Sequence, residues 1–214
     1  MPLSPVPLSE IPTLSLLYKL KHLHPASSSR DLPKPSPRLN DVISLIRTDI
    51  TTLEVSAIVN AANGSLLGGG GVDGAIHARA GPGLIRECQT LNGCATGSAK
   101  ITKGYELPSD HVIHAVGPVY WRSKKERPGL EKEHLRGCYR KSLELASENG
   151  CKSIAFSAIS TGVYGYPSGE AAQEAISEVR KWVDEHIDDL GGLERIIFCC
   201  FERKDERAYE ETLP

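Results

Sequence analysis

From residue 41 onward, short apolar runs rich in β-branched residues alternate with stretches whose apolar residues recur at helical spacing. That alternation limits the fold more than any other feature of the chain. Val42–Arg47, Ser56–Ala61, Ala99–Tyr105, His111–Val116, Ser153–Ile159 and Arg195–Phe201 have strand length and strand composition. Val72–Ala80 and Leu130–Glu148 read as helices, the second closed by Asn149-Gly150. From Ser168, taken as an N-cap, Ala172, Ala175, Ile176, Val179, Trp182, Val183 and His186 recur at helical spacing. A short charged helix ends the chain. Strands this apolar must be covered on both faces, so the expected fold class is α/β, a buried and largely parallel sheet with helices on each side. Sheets of that kind take ligands at the carboxyl ends of their strands. The loops after Ser56–Ala61 and after Ser153–Ile159 stand out by that rule.

Residues 1–40 carry most of the fourteen prolines and the run Ser27-Ser28-Ser29. Within them, Pro25 to Pro37 reads as an extended linker and Leu14–Lys21 as a short helix. The expected division is an arm over residues 1–40, docked or frayed, and one domain over residues 41–214. Formal net charge is −2, which argues against a chain that holds nucleic acid by neutralising many phosphates. A ligand with one or two phosphates stays open, because backbone N–H groups hold such anions without cationic side chains. Cys88, Cys94, Cys138, Cys151, Cys199 and Cys200 include no C-x-x-C pair and read as free thiols in a reducing compartment. Adjacent in a strand, Cys199 and Cys200 are expected on opposite faces. No run approaches the ~18 apolar residues of a membrane span, and no secretory signal is visible. The sequon Asn63-Gly64-Ser65 is therefore read as incidental. An intracellular location is expected, cytoplasmic or nuclear, with an organelle left open. A monomer is expected, since no heptad pattern calls for an oligomer.

The segment that carries chemistry runs Asn60-Ala-Ala-Asn63-Gly-Ser-Leu-Leu-Gly-Gly-Gly-Gly-Val-Asp73-Gly-Ala-Ile-His77. Four consecutive glycines remove every Cβ from a loop that opens a helix. A ligand can then approach the backbone closely, with the helix dipole behind it, which makes an anion site. Asp73 falls in the first helical turn, and His77 lies four residues on, on the same face. Each feature alone is ordinary: a flexible turn, a helix cap, a satisfied core histidine. Together on one short segment they read as a site. Gly69-x-Gly71-x-x-Gly74 also fits a dinucleotide fingerprint, but too many residues separate it from the strand, and Asp73 would repel a tightly held pyrophosphate. No Gly-Lys-Ser/Thr follows, which excludes a P-loop. The second loop, Ser160-Thr-Gly-Val-Tyr-Gly-Tyr-Pro167, offers amides, hydroxyls and two tyrosines. By composition alone it is equally a site or an ordinary strand–helix connection. His111 and His114 fall on opposite strand faces, no Cys/His cluster has zinc spacing, and no Gly-x-Ser-x-Gly elbow occurs, so neither metal nor cofactor is expected.

Arg47-Thr-Asp49-Ile-Thr, Ala57-Ile-Val-Asn-Ala-Ala-Asn63, Leu66–His77, Ala115-Val-Gly-Pro118 and Ile159-Ser-Thr-Gly-Val-Tyr-Gly-Tyr-Pro167 resemble, in order and spacing, the macrodomain family and most closely its MacroD-type ADP-ribosyl hydrolases. The resemblance runs from about Asp41 to the C-terminus. It implies a three-layer α/β/α domain with a mixed, largely parallel central sheet. It also implies that Asp49 takes a hydrogen bond from the adenine amino group beside the Ile50 amide, and that Phe201 packs on the adenine. Gly70, Gly71, Val72 and the loop Ser160, Thr161, Gly162, Val163 and Tyr164 would wrap the pyrophosphate. Tyr164 stands where close relatives often have Phe and keeps a ring beside the distal ribose. Asn63 would hold ribose hydroxyls, and Asp73 and His77 would complete a catalytic set with Asn63.

The activity this implies is hydrolysis of ADP-ribose from Asp or Glu esters on proteins, and deacetylation of O-acetyl-ADP-ribose. Water would be set in place by the substrate pyrophosphate and Asp73, which either takes a proton or only orients the water. The partners implied are ADP-ribose and mono-ADP-ribosylated proteins. One alternative is a module that reads ADP-ribose without cleaving it; the triplet Asn63, Asp73 and His77 favours the enzyme. A nicotinamide-dependent oxidoreductase is more distant, since no acidic ribose-binding residue is placed after a second strand.

Overall fold

The computed structural model describes residues 4–24, 36–186 and 188–213. The expected linker from Pro25 to Pro37 lies almost wholly outside them. After a two-residue strand β1 (Val6–Pro7) come helices α1 (Leu14–Lys19) and α2 (Pro37–Val42) and strands β2 (Ile43–Arg47), β3 (Leu53–Glu54) and β4 (Ala57–Ala62). Helices α3 (Gly71–Ala80) and α4 (Pro82–Thr90) follow, then β5 (Ala99–Lys103) and β6 (His111–Val116). The rest is α5 (Tyr120–Glu126), α6 (Leu130–Glu148), β7 (Ser153–Phe156), α7 (Ser168–Glu185), β8 (Arg195–Cys200) and α8 (Arg203–Thr212).

Six strands form one sheet in the order β2-β8-β7-β4-β6-β5, parallel throughout except for the β5–β6 pair. This is the mixed, largely parallel sheet expected. Side-chain alternation splits its contacts into two cores. Val59, Ile113, Phe156, Phe198 and Cys200 pack with α6, α7 and α8, while Ile58, Val112, Val116, Ile197 and Cys199 pack with α3 and α4. Cys199 and Cys200 thus fall on opposite faces, and all six cysteines are free. Burial pushes the thiols of Cys138 and Cys199 up to about 12, where they are inert. Among the described residues no helix is long and apolar enough to cross a membrane.

Three local expectations change. α4 lies in a stretch given no element by pattern; Pro82 opens the helix, where its missing N–H costs no hydrogen bond. Strand β7 stops at Phe156 rather than Ile159, and the chain turns through Ser160 in the left-handed region, φ +67°. Ser168 does not cap α7: it is the first helical residue, and its hydroxyl donates to Asp205 Oδ1 at 2.6 Å.

The described part of the arm lies against the domain. Val6 and Pro7 pair with Leu53 and Glu54, Thr13 bridges to Ser44, and Arg195 Nη1 donates to the Ile11 carbonyl at 3.1 Å. Ile11, Leu14 and Leu23 are buried, Leu14 in the same core as Phe198 and Val179. Leu14→Ala should therefore lower the unfolding free energy by about 2–5 kcal/mol, read from the urea midpoint at constant slope. A midpoint equal to wild type would show the arm to be dispensable.

Candidate functional site

The five parallel strands run in one direction, so their carboxyl ends reach a single rim. Each delivers wall to one cavity of about 590 Å³: Thr48 to Ile50 after β2, Asn63 and the glycine loop after β4, Gly117 after β6, Ser157 to Tyr164 after β7, and Phe201 with Glu202 after β8. Asp49, Ile50, Asn63, Gly70, Gly71, Val72, Asp73, the whole of Ser160 to Tyr164 and Phe201 line it. His77 does not line it. Its Nε2 stands 3.5 Å from Asp73 Oδ1, and neither ring nitrogen has a hydrogen-bond partner among the described residues. Helical spacing correctly put His77 on the face of Asp73; the side of the carboxylate it occupies is the one away from the cavity.

The first loop is shaped by Asn63. Its Oδ1 accepts from Ser65 N at 3.0 Å and Ser65 Oγ at 2.6 Å, and its Nδ2 donates to the Gly68 carbonyl at 2.8 Å. The carboxamide thus closes the turn, leaving one N–H beside the cavity. Two of the four glycines have conformations other residues avoid, Gly68 at φ +84° and Gly71 at φ +61°. A Cβ on Gly69 would come within 3.0 Å of Asp73 Oδ2 and 3.2 Å of Asn63 Nδ2. Gly70 is the N-cap of α3 and brings no side-chain cap, so the first-turn N–H groups have no side chain to bond. They open a ten-residue helix whose dipole favours an anion there.

Asp73 is 3% exposed. Its Oδ1 accepts from Asn60 Nδ2 at 2.7 Å, and its Oδ2 lies on the Gly69 side. Asn60 belongs to β4 and is fully buried, and its Oδ1 has no partner among the described residues. An unsatisfied buried acceptor costs about 1–3 kcal/mol, so this orientation of the amide has to be held. By pattern alone Asn60 is one more strand residue; an Asn inside an otherwise apolar buried run is the signal that marks it. The same amide nitrogen lies 3.1 Å from His114 Nδ1, and His114 Nε2 lies 3.0 Å from Thr102 Oγ1 and 3.5 Å from Cys88 Sγ. Burial, and then the neighbouring His77, push the pKa of His114 down to about 3, so the ring is neutral. Ligand atoms of His77, Cys88 and His114 gather within 4.8 Å of one another, a cluster that zinc-type spacing could not reveal because it spans two helices and a strand.

The second loop leaves β7 through buried Ser157 and Ser160, whose hydroxyls have no partner among the described residues. Backbone bonds from Tyr166 N to Ser160 O (2.9 Å) and Gly165 N to Gly162 O (3.0 Å) fix its shape, and Lys204 Nζ donates to the Thr161 carbonyl at 3.1 Å. Its two tyrosines part: Tyr164 is on the cavity wall, and Tyr166 is in the core against Tyr120. Val163 is 95% exposed and Phe201 75% exposed, so two apolar side chains stand free on the cavity wall. At the β2 end, Asp49 Oδ1 caps the turn Ile50–Thr52 through Thr51 N (3.0 Å) and Thr51 Oγ1 (2.7 Å), and Oδ2 takes no part in these bonds. Glu202 and buried Asp205 add two carboxylates that no sequence motif marks. Among the lining residues there is no Lys or Arg.

Geometry of this kind has relatives. The Macro domain sequence model matches residues 59–175. The ADP-ribose glycohydrolase MACROD1 of Rattus norvegicus is 52% identical over 181 residues, covering 85% of this chain and 68% of that protein. The chain spans only 54% of the Bos taurus protein of the same name. A macrodomain of Trypanosoma brucei, whose crystal structure is a complex with ADP-ribose, superposes with a TM-score of 0.79 at 42% identity, covering 99% of this chain and 78% of that one. The sheet order, the glycine loop opening α3 and these matches lead to one conclusion: the chain belongs to the Macro domain family.

Proposed function

We propose that this chain binds ADP-ribose in the cavity and hydrolyses its ester links, releasing ADP-ribose from Asp or Glu side chains of proteins and acetate from O-acetyl-ADP-ribose. The observation that carries this reading is the placement of Asp73. Its carboxylate is fastened through one oxygen at the start of a glycine-opened helix, and it sits in a cavity wall with no cationic side chain. Resemblance to MACROD1, named as an ADP-ribose glycohydrolase, and to a macrodomain crystallised with ADP-ribose supports the choice of ligand.

In this reading the diphosphate lies between the two loops, held by the amides of Gly70, Gly71 and Val72 and of Ser160 to Tyr164. The buried, unpartnered hydroxyls of Ser157 and Ser160 suit such a ligand. Asp49 Oδ2 and the Ile50 amide meet the adenine, and exposed Phe201 covers it. The spare N–H of Asn63 meets a hydroxyl of the distal ribose, with Tyr164 alongside. Asp73 Oδ2 and a phosphate oxygen of the substrate hold the attacking water. The water's oxygen bonds to the acyl carbon of the ester, the bond from that carbon to the ribose oxygen breaks, and the proton that the water gives to Asp73 or to that phosphate passes on to the departing ribose oxygen. His77, off the cavity wall, supports Asp73 rather than touching substrate. Loop amides supply electrostatic stabilisation with little reorganisation.

Asp73→Ala should keep ADP-ribose affinity while lowering the release of ADP-ribose from a mono-ADP-ribosylated protein on the order of 10²–10³-fold. Turnover at the wild-type rate would sink the hydrolase reading, and absence of ADP-ribose binding by wild type would sink the ligand. A reader module would bind and release nothing. Gly69→Ala should fold, since its φ is not in the left-handed region, yet press on Asp73 Oδ2 and Asn63 Nδ2. Its kcat should fall about 10–10²-fold with the melting temperature little changed; an unaltered kcat would remove those two side chains from the chemistry.

A further inference from the structure

On the face of the sheet that meets α3 and α4, three neighbouring strands lay a row of polar side chains side by side. Asn60 of β4 and His114 of β6 are register partners, and Thr102 of β5 pairs opposite Val112, two residues before His114. All three side chains are buried. Their donors and acceptors can be matched in one way. A carboxylate oxygen accepts, so the Asn60 atom facing Asp73 Oδ1 at 2.7 Å is the amide nitrogen. That nitrogen has two hydrogens, and the second points at His114 Nδ1, 3.1 Å away, which must then carry a lone pair. The single proton of a neutral imidazole is therefore on Nε2, donated to Thr102 Oγ1 at 3.0 Å. The threonine hydroxyl completes the run on the Val112 carbonyl at 3.4 Å. Turning the amide over would set its oxygen against the Asp73 carboxylate and deprive Nδ1 of its donor.

We propose that His114 is a positioning residue for Asp73 and acts through Asn60: its bare Nδ1 holds the Asn60 amide in the one orientation that presents N–H to Asp73 and leaves Asp73 Oδ2 aimed at the reacting water. The proposal rests on the reading of Asp73 given above. Thr102 Oγ1, by accepting the hydrogen bond from Nε2–H, supports this tautomer. A divalent cation held by His77, Cys88 and His114 is the competing use of this cluster. It would need a thiolate, whereas burial and then the charges of Glu87 and Asp73 push the Cys88 thiol up to about 11. It would also take Nε2 away from Thr102.

The test uses the full chain and two independent measurements. First, ¹⁵N NMR of the wild-type His114 ring between about pH 5 and 8 should show one protonated nitrogen, Nε2, and a bare Nδ1 throughout. A proton on Nδ1, or stoichiometric zinc uptake that Cys88→Ser abolishes, overturns the proposal whether or not the chain is a hydrolase. Second, on a mono-ADP-ribosylated protein, H114F should lower kcat about 10–10²-fold with KM within about threefold of wild type. H114N, which restores an acceptor near the Nδ1 position, should recover most of that loss. N60L should match H114F, and the double variant should be no slower than the slower single one. Melting curves establish that each variant is folded. Wild-type kcat in folded H114F, failed rescue by folded H114N, or additive losses in the double variant overturn the proposal. A wild-type chain without hydrolase activity defeats the functional reading alone, and the NMR result then decides the tautomer.

Discussion

The hydrogen bond from Asn60 Nδ2 to Asp73 Oδ1 joins the middle of the sheet to the first turn of α3. It settles what the cavity can be. A free Asp at a helix start would turn its carboxylate to the nearest amides and act as a cap. Here one oxygen is claimed from below by a strand residue, and the other is left on the glycine-loop side. The cost is borne in the core, where the Asn60 carbonyl oxygen has no partner among the described residues. Buried polar groups without partners are uncommon in native proteins and tend to mark places where function outweighs local stability.

With Asp73 so fixed, the cavity wall carries carboxylates and no cationic side chain. An anionic ligand has to be met by main-chain N–H groups and by the positive end of α3. That requirement accounts for the glycines better than flexibility does. Gly68 and Gly71 supply the left-handed turns that aim the amides, and Gly69 leaves room for Asp73 and Asn63. On the other side, Ser160 adopts a left-handed φ of +67° without being glycine, a local strain of the kind that collects at ligand clamps. Because amides are fixed dipoles and carry no net charge, the site can hold a diphosphate beside a carboxylate without pairing that carboxylate away.

Much of this could be read from the chain alone, for identifiable reasons. His111–Val116 and Leu130–Glu148 match the observed β6 and α6 because periodicity and end signals agree there. The glycine loop, Asp73 and Asn63 were legible because a local segment contains them all. What escaped was non-local or ambiguous. Asn60 has its meaning only once α3 is laid over β4. Cys88, Thr102 and His114 come from α4, β5 and β6, and no spacing rule links them. α4 has no assignment by pattern, although a proline at its first position is a helix-start signal. Which flank of Asp73 His77 occupies depends on the packing of α3 against the sheet, which a helical repeat does not contain.

The N-terminal segment gives the cavity a second kind of dependence. β1 pairs with β3, and β3 follows directly on the turn that Asp49 caps. The first described residues therefore brace the wall of the cavity at its Asp49 end, more than forty positions away in the chain. The arm is placed as a strut: two strand residues of the chain's opening segment support the turn that carries the cavity-lining carboxylate of Asp49.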